Sequence, residues 1–211
     1  LLVDTSVARN FAIAGWADYL VTLSQGVIRV AQGVLGVGPD EPGELDRAKE
    51  FFERQTRTHP VGSHEYTNAL TAAMNLENLI SRRSTTLEVV VPTEQELRLA
   101  VRLQAREERG WRTSLGMRAR RLDAGEAVSV AICVSRNEEF GCDDEDGRIA
   151  YRALGGKQSL STLDFLKVAV HQGLLPQDEA RAGYEKLRGT YRFFGPPWPG
   201  GHLGHSAGGR A

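Results

Sequence analysis

Short apolar runs alternate along this chain with longer stretches whose apolar residues recur at helical spacing. Leu1–Asp4 is an apolar run closed by an acid, as buried parallel strands are, and Thr5 and Ser6 are suited to cap a helix over Val7–Ala14. Val27–Ala31, rich in β-branched residues, predicts a second strand, and the Gly- and Pro-bearing stretch from Gly36 to Gly43 predicts a loop. A charged helix is expected from Glu44 to Arg57, with Phe51 and Phe52 on its inner face, ended by His59-Pro60. From Ser63 to Arg83, Leu70, Met74, Leu76, Leu79 and Ile80 fall at helical spacing. Leu87–Val91 reads as a strand closed by Pro92. Thr93 and Glu96 then form a capping box for a helix reaching Glu108, with Leu97, Ala100, Val101 and Leu103 along it. Arg109–Arg121 is polar and basic and fits no element.

Beyond Asp123 the pattern sharpens. Ala127–Val134 is a nearly all-apolar helix, Glu139–Cys142 a short strand and Gly147–Leu154 a helix. A weak strand near Gln158–Ser161 precedes a helix over Thr162–His171, and Gln177–Arg188 is the last helix. Strands alternating with helices predict an α/β fold, a central parallel sheet layered between helices. Residues 1–194 read as one domain. From Gly195 the composition turns to Gly and Pro, and 195–211 reads as a flexible tail.

Composition narrows the class without naming a function. The 211 residues are 41% hydrophobic and 25% charged, an ordinary globular balance. No apolar run approaches the roughly 20 residues that span a bilayer, and no basic segment leads into an apolar one. A cytoplasmic protein without a membrane partner is expected, and the start at Leu1 reads as trimmed by a residue or two. Cys133 and Cys142 suit a reducing compartment, packed as small hydrophobes. The five histidines lack zinc-ligand spacing. The net charge of −1 lacks the basic excess of many nucleic-acid binders. Basic stretches are local, at Arg118–Arg121 and Lys186–Arg192.

Candidate chemistry lies with the acids. In open α/β sheets ligands bind beyond the carboxyl ends of the strands. Asp4 stands at one such end, Asp143 and Asp144 follow another, and Glu126 opens the apolar helix between them. Each also has a plain structural reading. Asp4 suits a helix cap, Asp123 and Glu126 have capping-box spacing, and Asp143 or Asp144 suits the cap of the next helix. Together they would be unstable alone: two carboxylates about 4 Å apart repel by about 4 kcal/mol at an effective dielectric near 20. Such a group takes up protons or holds a hard cation such as Mg²⁺ or Mn²⁺.

Several stretches resemble PIN-domain nucleases. They are Leu1-Leu-Val-Asp4-Thr-Ser-Val7, then Gly125-Glu126-Ala127, then Asp143-Asp144-x-x-Gly-Arg148-x-Ala150, and finally Leu160–Leu175. The likeness covers about the first 35 residues and Leu122–Leu175. It implies a three-layer α/β/α PIN-like sandwich and a ribonuclease dependent on Mg²⁺ or Mn²⁺. Many members are toxins of toxin–antitoxin pairs, inhibited by a small antitoxin protein and often homodimeric. Carried across, Asp4, Glu126 and Asp144 are expected as metal ligands and catalytic acids, with Asp143 the alternate to Asp144. Ser6 and Thr162 are expected to support the carboxylates. Arg148 is expected either to hold phosphate or to pair with Asp144 or Asp146. One departure stands out: the family has a further acid after its second strand, where this chain reads Val30–Gly38 without one. Asp40, Glu41, Glu44 and the more distant Glu65 are the substitutes. Without a substitute, the chain would be a degenerate PIN-like domain that binds RNA or a protein without catalysis. A hydrolase using Asp4 as nucleophile is disfavoured, because Ser6 stands where such enzymes carry a second acid.

Overall fold

The computed structural model describes residues 1–36, 41–105, 122–191 and 193–199. Five short strands and nine helices lie within them. The strands are β1 (Leu2–Val3), β2 (Ile28–Ala31), β3 (Leu87–Val90), β4 (Phe140–Gly141) and β5 (Ser159–Leu160). The helices are α1 (Thr5–Ile13), α2 (Ala17–Leu23), α3 (Glu44–Thr58), α4 (His64–Ser81), α5 (Glu94–Gln104), α6 (Ala124–Arg136), α7 (Glu145–Ala153), α8 (Thr162–His171) and α9 (Gln177–Thr190).

Every ladder is parallel. In one sheet β4 lies between β1 and β5, with Leu2 opposite Phe140 and Val3 opposite Gly141. In the other, β2 pairs with β3 from Ile28–Leu87 to Ala31–Val90. The α/β class expected from the sequence is therefore present, as short parallel sheets. The core joins Leu2, Val3, Phe11, Ile132, Phe140 and Phe165, and the Phe11 and Phe165 rings meet edge-on at 5.9 Å. Cys133 and Cys142 are both free and buried, as small core residues.

Helix α6 shows why the centre is well specified. Asp123 caps it by accepting from the Glu126 N–H at 2.7 Å, and Asn137 ends it in the left-handed conformation at φ 54°. Between those caps Ala127, Val130, Ala131, Ile132 and Cys133 are buried, so the helix has core on most sides and fixes what its first turn carries. Helix α5 is joined to it by Arg136, whose guanidinium donates to both oxygens of buried Glu96 at 2.7 and 2.8 Å. Glu96 also closes the expected capping box with Thr93.

Several expectations need correction. Phe51 is 49% exposed rather than on the inner face of α3. Leu70, Met74, Leu97 and Val101 lie on helices as their spacing predicts, on exposed faces. On α4 the inner face is made of Ala69, Ala72, Ala73, Leu76 and Leu79. The helix lies close to α1 and α3, where small residues permit the approach and larger ones are left outside. Helix α2 was not anticipated, being one short amphipathic stretch without a side-chain cap. Asp4, not Thr5 or Ser6, caps α1. The segment from Gly195 is not free at its start. The Tyr184 hydroxyl donates to the Pro196 carbonyl at 2.8 Å, and Trp198 is 7% exposed against the Tyr184 ring. An aromatic anchor outweighs the Gly/Pro composition there. Arg109–Arg121, Asp40 and 200–211 lie outside the described residues.

Candidate functional site

Helices α1, α3, α6 and α7 begin near the carboxyl ends of β1 and β4, and each brings an acid there. Asp4 follows β1 directly, and its N–H donates to the Gly141 carbonyl at 2.7 Å, so the two strand ends are locked together. The Ser6 hydroxyl donates to Asp4 Oδ2 at 3.2 Å and accepts from the Asp143 N–H at 3.1 Å. Ser6 thus holds the Asp4 carboxylate and also ties the β1 end to the β4 end.

Glu126 is 6% exposed, and its Oε1 is buried without a hydrogen-bond partner. Asp123 caps α6, but Glu126 does not return the bond that would complete a capping box. The structural reading of this Asp-x-x-Glu spacing is therefore only half fulfilled. Burial pushes the Glu126 carboxyl up to about 9, helped by repulsion from Asp144, Asp4, Asp123 and Asp146. Burial likewise raises Asp4 to about 7, with the charges of Glu44 and Asp123 adding to it.

Of Glu41, Glu44 and Glu65, it is Glu44 that lies beside Asp4. It is the first residue of α3, after Gly43, and accepts a hydrogen bond from the Thr5 hydroxyl beside Asp4. Burial and the charge of Asp123 raise its pKa, against the Thr5 bond. Two glycines make room for these side chains. A Cβ at Gly125 would overlap the Glu44 carboxylate, and one at Gly147 would overlap that of Glu126. The Gly-Glu-Ala motif thus has a physical reason for its glycine: the neighbouring acid needs the space.

Asp143 and Asp144 have different jobs. Asp143 accepts from the Thr162 N–H at 2.7 Å, the Thr162 hydroxyl at 2.5 Å and Asn10 Nδ2 at 3.0 Å. Burial raises its pKa while those bonds and Arg148 oppose the rise. This carboxylate is a clamp joining α1, β4 and α8. Exposed Asp144 caps α7, accepting from the Asp146 N–H at 2.8 Å, and it is the strongest like charge acting on Glu126. Thr162 supports Asp143 rather than the other acids. Arg148 pairs with neither Asp144 nor Asp146 among the described residues, and its Nε is buried without a partner. Asn10 was not foreseen. An amide one turn after Ser6, on the buried face of an otherwise apolar helix, was its signal. Glu41 is exposed and lines a groove with Glu44, while Glu65 lies on α4 in a separate cleft with Phe51 and Tyr191.

Among the described residues no three His, Cys, Asp or Glu side chains are arranged to hold a metal ion as they stand. The residues nonetheless fit a hard cation. The donors are carboxylate oxygens, one of them buried and unpartnered, and two glycines leave the space they fill. Comparison with protein-family models, with curated proteins and with solved structures found no match. No helix among the described residues is long and apolar enough to cross a membrane.

Proposed function

We propose that this chain is a metal-dependent endoribonuclease of the PIN kind, acting on single-stranded or looped RNA. The observation that carries the reading is Glu126, buried with one oxygen unpartnered and subject to the charges of Asp144, Asp4 and Asp123. A site that raises three of its own carboxyls by burial and repulsion between acids gains most from a cation. Asp4, Glu44, Glu126 and Asp144 would hold Mg²⁺ or Mn²⁺. When bound, the ion would polarise a phosphodiester and lower the pKa of a bound water. The chain itself fixes the acids: Ser6 orients Asp4, Thr5 orients Glu44, and Gly147 leaves room for Glu126.

The proximity of β2 to β1 supports a single sheet in the order β3-β2-β1-β4-β5 with helices on both faces, the three-layer arrangement expected of the family. A role as a toxin held by an antitoxin protein, dimerisation and a cytoplasmic location rest on the resemblance and on the buried free cysteines. The degenerate, non-catalytic reading was motivated by a missing acid, and Glu44 beside Asp4 weakens that motive.

The test is cleavage of a labelled RNA with Mn²⁺ or Mg²⁺ by wild type and by Asp4→Asn, Glu44→Gln and Glu126→Gln. Loss of activity in the variants is expected. Equal cleavage by all four proteins would defeat the assignment.

A further inference from the structure

The acid cluster is edged by arginines that no carboxylate has claimed. Arg47 stands one turn after Glu44 on α3, and Arg9 one turn after Thr5, whose hydroxyl holds Glu44. Glu44 senses both charges, yet neither arginine forms an ion pair among the described residues. Arg29, Arg82, Arg98 and Arg136 all do. Arg148 is a third case, its buried Nε unpartnered, next in sequence to the glycine that accommodates Glu126. Arginines left unpaired beside acids are available to an anion that arrives from outside.

Beside Arg47 runs an open groove of about 580 Å³ between the loop after β2 and the first turns of α3 and α6. Gln32, Glu41, Glu44 and Arg47 line it, and Gly33, Gly43 and Gly125 contribute backbone rather than side chains. A Cβ at Gly33 would meet nothing within 4 Å, so a planar group can lie there with its edge at the Gln32 amide. An acidic pocket by itself repels a polyanion, so a nuclease needs fixed positive charge next to it.

We propose that this groove is a track for single-stranded RNA. Arg47 in the groove, with Arg9 by Glu44 and Arg148 by Asp143 outside its lining, hold phosphates flanking the one presented to the acids. The nucleotide following the Glu44 end would lie over Gly33, within reach of Gln32. This inference rests on the ribonuclease reading but has its own readout.

The experiment measures binding of a fluorescent 12-nucleotide single-stranded RNA to the full chain carrying Glu126→Gln, in EDTA, so that neither cleavage nor metal enters. Arg9→Ala, Arg47→Ala and Arg148→Ala are each expected to weaken binding about tenfold. Each should also lower the slope of log affinity against log salt by about 0.7. Arg47→Lys should recover part of the loss, and Arg54→Ala and Arg57→Ala, farther along the same helix, should change nothing. Thermal melts check that each variant is folded. Binding unaffected by the three replacements, or no binding at all, overturns the track. So does displacement of the RNA by polyglutamate at equal charge concentration, which points to an acidic protein segment instead. Failure of the parent reading is separate: it appears as absent Mn²⁺-dependent cleavage by wild type, whatever the arginines do.

Discussion

Replacing Glu126 by Gln should make the metal-free protein more stable, by an amount that depends on pH. The folded chain holds the Glu126 carboxyl at about 9 against an ordinary value of 4.5, so the native state binds that proton more tightly than the unfolded chain. For a raised pKa the stabilising contribution is complete below 4.5 and is lost as pH rises toward 9. Each pH unit in that window costs about 1.4 kcal/mol, so the loss at pH 7 is about 3 kcal/mol. A glutamine has no such proton and no such slope. Asp4, raised to about 7, adds a slope of the same sign to both proteins and cancels in the comparison. The assay is urea denaturation in EDTA at pH 4, 5.5, 7 and 8.5, followed by circular dichroism. Equal stability is expected at pH 4, with a gap favouring Glu126→Gln that grows to about 3 kcal/mol at pH 7. Saturating Mn²⁺ should close or reverse the gap, because a ligand that binds only the folded state stabilises it by about 2.7 kcal/mol at a hundredfold excess over Kd. A gap that ignores pH, or a wild type more stable than the variant at pH 8.5 without metal, would refute the reasoning.

Other replacements separate the site from its frame. Gly147→Ala would normally strengthen a helix by about 1 kcal/mol. Here its Cβ displaces Glu126, so Mn²⁺ affinity measured by calorimetry should fall at least about tenfold, and unchanged affinity would remove the steric account. Arg136→Ala leaves buried Glu96 unpaired and should cost about 3 kcal/mol while sparing Mn²⁺ binding. Because Arg136 and the cap hold Glu96 below its ordinary value, the pair's contribution is present at neutral pH and fades as pH falls through that lowered value. Denaturation of wild type and variant at pH 7 and in strong acid should therefore converge at the acid end. Thr162→Val strips one donor from the Asp143 clamp and should lower stability by about 2 kcal/mol, read by thermal melting. No loss would mean that Asp143 is not the tie between α1, β4 and α8.

The alternation of apolar runs and amphipathic stretches made most elements legible, because strand and helix periods differ and caps such as Thr93–Glu96 are local. Helix α8 spans Thr162–His171 as expected, whereas α6 and α7 begin earlier than their apolar patterns do, at their aspartate caps. Facing was harder to read. Phe51, Leu70 and Met74 are apolar but exposed, since the α3–α4 contact is decided by alanines whose size matters more than their hydropathy. In the site, Asp4 and Glu126 could be chosen because they end a strand or open a buried helix. Glu44 could not be singled out from Asp40, Glu41 and Glu65, as its place depends on the packing of α3 and on the missing side chain at Gly125. Asp143 and Asp144 are adjacent and chemically alike. Only the partners across the fold, Thr162 and Asn10, tell the clamp from the acid near Glu126.

The most direct measurement is anomalous scattering from crystals of the protein grown with Mn²⁺. The expected result is a peak bounded by the carboxylates of Asp4, Glu44, Glu126 and Asp144, with Glu126 Oε1 among its ligands. Well-ordered carboxylates with no peak between them, or Mn²⁺ bound only elsewhere on the molecule, would contradict it.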